Sequence, residues 1–143
     1  MSTAAAPVRA TTAVRSDPAA QAYLLMRVVF VLAPIVFGLD KFAGVLTDDW
    51  TRYLAPEFYD LIPGSAATAM HIVGVVEIVA GLVVLLTPRW GSLLVAGWLA
   101  GIILNLLLVG GYGDIALRDF GLLVGALALS RLASATRVAR RGP

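Results

Sequence analysis

Apolar positions dominate this chain in four long blocks, and polar residues fall mainly between them. The blocks cover about residues 20–39, 67–87, 91–109 and 115–132. Each approaches the roughly 20 residues a helix needs to cross a hydrocarbon core of about 30 Å. None shows the two-residue alternation of a barrel strand, so the pattern predicts helices. The third block, Gly91 to Val109, has no charged residue at all. The first contains Arg27 and Pro34, the second His71 and Glu77, the fourth Asp119. The expected fold is therefore an all-α membrane protein: an up-down bundle of four transmembrane helices over residues 19–134.

The connections refine this picture. Pro88-Arg89-Trp90 and Gly110-Gly111-Tyr112-Gly113-Asp114 read as tight turns, which make blocks two, three and four antiparallel neighbours. The link from Asp40 to Ala66 is long, with Trp50, Tyr53, Phe58 and Tyr59 among acidic residues and Pro56 and Pro63. This long outer loop reads as an ordered segment lying at the membrane surface, with a plain loop as the alternative. Residues 1–18 lack an apolar run and read as a disordered cytoplasmic tail rather than a cleavable signal. Residues 135–143 read as a basic cytoplasmic tail.

Composition supports lipid as the solvent. Of 143 residues, 59% are hydrophobic and 14% charged, too few polar residues to cover a water-soluble fold of this size. The net charge of +2 matters less than its distribution. With four spans, Arg9, Arg15, Arg89, Arg131, Arg137, Arg140 and Arg141 share one side. Lys41, Arg52 and Arg118 share the other with Asp40, Asp48, Asp49, Glu57, Asp60 and Asp114. The positive-inside rule then puts both termini in the cytoplasm. There is no cysteine and one histidine, which excludes disulfides, thiol chemistry, cysteine-ligated metals and bis-histidine haem within one copy.

Charges at membrane depth are costly and point inward. Counting from the expected span ends, Arg27 and Glu77 both lie roughly 15–18 Å below the outer boundary, which predicts an intramembrane ion pair between them. A second layer, roughly 6 Å deep, gathers His71, Asn105 and Asp119 beside Asp40 and Lys41 at the end of the first span. This outer polar cluster is the candidate ligand or quinone site. Gly97 with Gly101, and Gly121 with Gly125, have the four-residue spacing of helix-packing stripes. No phosphate loop, nucleophile elbow or metal-ligand spacing occurs, so no catalytic residue and no metal site is expected. A quinone is the one cofactor class left open.

Several of these residues form a pattern. Arg27, the run Phe37-Gly38-Leu39-Asp40-Lys41-Phe42, the run Gly74-Val75-Val76-Glu77 followed by Gly81, and Arg118-Asp119 together resemble the DoxX-like family of small four-helix membrane proteins. The likeness covers about residues 22–133. It implies a four-helix bundle in the bacterial plasma membrane, associated with redox enzymes such as thiosulfate:quinone oxidoreductase, oxidative-stress membrane complexes or respiratory complexes. Related branches that handle thiols use cysteines, so that activity does not carry over. The first expectation is an accessory, non-catalytic subunit of a membrane redox assembly, with other membrane subunits as partners. A quinone- or small-anion-binding component and a small transporter are the alternatives. Nothing points to nucleic acid.

Overall fold

A computed structural model describes residues 17–61 and 64–140. The expectations for residues 1–16 and 141–143 lie outside that range. Among the described residues there is no strand, and four long helices account for most of the chain: α1 Pro18–Ala43, α2 Ala66–Leu86, α3 Pro88–Val109 and α4 Gly113–Arg140. Three of them, α1, α2 and α3, are long and apolar enough to cross a membrane. The fourth carries Asp114, Arg118, Asp119 and Arg131 along its 28 residues and is not among those three.

Each helix starts and stops for a local reason. Asp17 caps α1 by accepting from the Ala19 N–H, and Pro18 fills the first position, where no amide donor is needed. Gly44 ends α1 in the left-handed region at φ 61°, and its N–H closes on the Asp40 carbonyl. Ser65 caps α2 by accepting from the Thr68 N–H. The Pro88-Arg89-Trp90 turn is corrected here: only Thr87 separates α2 from α3, and Pro88 is already the first residue of α3. Proline fits that position because its missing N–H is an unpaired donor site in any helix. The helices also outrun the expected spans. Helix α1 continues four residues past Leu39, and α4 continues through Arg140.

One core serves all four helices. Phe30 and Val31 of α1, Ala80 and Val84 of α2, Val95, Ala96 and Leu99 of α3, and Ala126 and Leu129 of α4 form a single buried cluster. Helix α1 packs mainly on α2, and α3 mainly on α4, with α2–α3 and α1–α4 contacts closing the ring. The α1–α2 seam is the tightest. A Cβ on Gly38 would lie 2.5 Å from the Gly74 carbonyl oxygen, and one on Gly74 would lie 2.7 Å from the Gly38 carbonyl oxygen. Further along, a Cβ on Gly81 would meet the Val31 carbonyl oxygen at 2.8 Å. Gly91, at the start of α3, sits equally close to the Val84 backbone.

The glycine stripes expected to pack the bundle are corrected in part. Gly125 does contact Phe30, at 3.2 Å from its ring for a built Cβ, but Gly97, Gly101 and Gly121 face open space within this chain. Four-residue spacing identifies a stripe of small residues; it does not say which way the stripe faces.

This separates two kinds of glycine. Gly38→Ala and Gly74→Ala should each lower stability by about 1–3 kcal/mol, because backbone must move to admit the methyl group. Gly97→Ala should be neutral or raise stability by up to about 1 kcal/mol through helix propensity. Unfolding of the detergent-solubilised protein checks the contrast.

Candidate functional site: a polar layer in the bundle

The expected Arg27–Glu77 ion pair does not form. Glu77 accepts from Lys41 instead, at 2.6 Å from Nζ to Oε2, with the two side chains only 4% and 10% exposed. Arg27 donates from Nη2 to the Leu85 carbonyl oxygen at 2.6 Å. The reason is register. Because Gly38 faces Gly74, Arg27 falls level with the end of α2, about eight residues or roughly 12 Å from Glu77. Side-chain direction reinforces this, since helical side chains tilt toward their own N-terminus. In this antiparallel pair Lys41 and Glu77 lie one turn to either side of the glycine contact and lean toward each other. Arg27 leans the other way. There it satisfies a carbonyl that the end of α2 would otherwise leave without a donor.

The outer cluster also divides. Asp40, 4% exposed, turns toward the segment that follows α1: its Oδ1 accepts from the N–H groups of Val45 and Leu46, each at 2.8 Å, and its Oδ2 from Trp50 Nε1 at 2.9 Å. Trp50 in turn lays its ring 4.1 Å from Lys41 Nζ, covering the buried ammonium. His71 stacks on Phe42, with ring centroids 4.8 Å apart. Asn105 bonds the outer segment rather than its neighbours in the cluster. Its Nδ2 donates to the Tyr53 carbonyl and its Oδ1 accepts from the Ala55 N–H at 2.8 Å. Asp119 is half-buried and within electrostatic reach of Glu77. The buried Trp98 indole N–H faces Glu77 but meets no hydrogen-bond acceptor among the described residues.

The layer is thus a set of separate bonds. Their common product is an ordered outer segment, with a 3-10 turn at Trp50–Tyr53 and one helical turn at Pro56–Tyr59. Trp50, Tyr53 and Tyr112 continue it as an aromatic chain with centroid spacings of 6.0 and 5.0 Å. Beside it a cavity of about 250 Å³ opens outward, lined by Lys41, Asp48, Asp49, Trp50 and His71 among others. Sequence reasoning picked out Asp40 and Asn105 but missed that they bind backbone. The available signal was the long link itself, whose amide groups need partners wherever water is scarce.

Compared with protein-family models, curated proteins and solved structures, the chain finds no match. What the fold and the polar layer define is a class, a helical multi-pass membrane protein whose apolar helices face a lipid bilayer.

Two measurements test the site. Lys41→Met or Glu77→Leu alone should cost about 3–5 kcal/mol by stranding a buried charge, and the double variant should recover most of that loss. The matching Arg27/Glu77 cycle should show additivity to within about 0.5 kcal/mol. The second concerns Asp49, which caps the 3-10 turn. The Thr51 hydroxyl and N–H, and less strongly the Arg52 charge, hold its carboxyl below the usual range. A carboxylate depressed in the folded state stabilises above its unfolded value and loses that contribution as pH falls through the folded one. Acidification from about pH 6 to about pH 3 should therefore loosen the turn, seen at the Thr51 amide by NMR, and Asp49→Asn should flatten the response.

Proposed function

We propose that this chain is a four-span protein of a bacterial plasma membrane, with both termini cytoplasmic, acting as an accessory, non-catalytic subunit of a membrane redox assembly. One observation carries the non-catalytic part: the charged and amide groups set among the helices, Asp119 apart, are engaged within the chain itself. Lys41 is spent on Glu77, Arg27 on the Leu85 carbonyl, and Asp40 and Asn105 on the outer segment. Large apolar side chains remain exposed on all four long helices, including Leu25, Leu82, Leu107 and Leu117, which leaves lateral surface for lipid or other subunits. The fourth span and the orientation rest on the placement of arginines and on α4 sharing the common core. The redox context rests on the resemblance of Arg27, Gly38 with Lys41, Glu77 and Asp119 to the DoxX-like pattern. Purification in mild detergent, followed by mass spectrometry, should recover oxidoreductase subunits with the protein. Isolation of the chain alone would sink the accessory reading.

The outward cavity beside Lys41 and His71 favours a second reading, a component that binds a quinone or small anion. Under that reading, His71→Ala should abolish quinone-coupled activity of the assembly without unfolding the chain. Activity unchanged by His71→Ala would leave the accessory reading standing alone.

A further inference from the structure

The two best-matched helices do not reach equally far across the membrane. Arg27 and Leu85 are bonded and so mark one level near the arginine-rich side. From Leu85 back to Ala66, α2 offers about 20 residues, roughly 30 Å, the full depth of a hydrocarbon core. From Arg27 forward to Ala43, α1 offers about 17 residues, roughly 25 Å. Helix α1 therefore ends roughly 5 Å short, and the chain at that point is the Gly44-Val45-Leu46 corner.

The corner is built for an apolar surrounding. Val45 is 80% exposed and Leu46 59%, and they extend the apolar surface of Leu39 and Phe42 at the end of α1. Exposed side chains alone would mean little. The backbone is the informative part, because irregular chain at membrane depth needs its polar groups met by protein or by a water-filled cavity. Here the Gly44 N–H bonds the Asp40 carbonyl, and the N–H groups of Val45 and Leu46 both bond the Asp40 carboxylate. Asp40 itself is almost fully buried behind them. Val45 and Leu46 stay off the outward-open cavity, whose wall is formed on either side of them by Gly44 and by Thr47, Asp48 and Asp49.

We propose that the Gly44–Leu46 corner is embedded in the lipid leaflet opposite the arginine-rich side, with Val45 and Leu46 as its apolar anchors. The membrane boundary on this side then falls between Leu46 and Asp48. The Lys41–Glu77 pair lies beneath that boundary, sealed from lipid by protein. The inference rests on the membrane-spanning reading and adds the position of the boundary to it.

Because the chain has no cysteine, single cysteines can report depth directly. Val45→Cys, Leu46→Cys, Asp48→Cys and Leu82→Cys would be spin-labelled in phosphatidylcholine vesicles. Each label's collision with oxygen, enriched in lipid, is compared with that of a water-soluble nickel chelate. All four positions are exposed, so the labels do not disturb the core. Labels at 45 and 46 should match the label at 82, with oxygen favoured several-fold, whereas the label at 48 should favour the chelate. Chelate access at 45 and 46 with oxygen access at 82 would overturn the corner's burial while leaving the spanning reading intact. Chelate access at 82 would overturn the spanning reading, and the inference with it.

Discussion

The backbone contact between Gly38 and Gly74 is the constraint on which the rest of the structure depends. In lipid, helices gain little by hiding apolar surface from one another, so close approach of backbones carries the packing. Here each glycine lies against the other's carbonyl, and no side chain larger than hydrogen fits without a shift. That contact fixes the register of α1 against α2. Register then decides the electrostatics. It sets Lys41 and Glu77 one turn to either side of the contact, where their opposite tilts bring them together, and it sends Arg27 to the end of α2.

The expected and observed ion pairs differ through an error in register, and its origin is instructive. Hydropathy placed the end of the first span at Leu39, because Asp40 and Lys41 look like a boundary. The helix instead runs to Ala43 with Asp40 buried, since its carboxylate has three donors waiting in the next ten residues. Aligning span ends by hydropathy therefore slid α1 along α2 by about six residues, nearly two turns. Helix existence and type were legible, because they follow from local periodicity. Which lateral faces meet was not. Gly97 and Gly101 share the spacing of a packing stripe yet point outward, while Gly74 and Gly81, seven residues apart, lie against α1.

The partners of Asp40 and Asn105 were illegible for a related reason. Both bond main-chain groups of an irregular segment, and main-chain groups carry no residue-type signal. Asn105 reaches Tyr53 and Ala55 across about fifty residues of sequence. Its amide presents both a donor and an acceptor, so one side chain can satisfy a carbonyl and an N–H that no helix or sheet would otherwise pair. A residue that reads from sequence as interhelical glue is, in the folded chain, a substitute for secondary structure.

Whether a membrane charge serves structure or chemistry can be argued from how much of its bonding capacity is already used. Asp40 accepts three hydrogen bonds and Asn105 uses both ends of its amide. Lys41 is held between a carboxylate and an indole face, which leaves its ammonium little freedom to serve a ligand. Releasing any of these groups would also release the segment or seam it holds, so the geometry couples them to folding first. The Trp98 N–H differs, because it is buried beside the Glu77 carboxylate and meets no acceptor at hydrogen-bond distance among the described residues. The α1–α2 seam sets the register, and Asp40 of α1 together with Asn105 of α3 orients the outer segment.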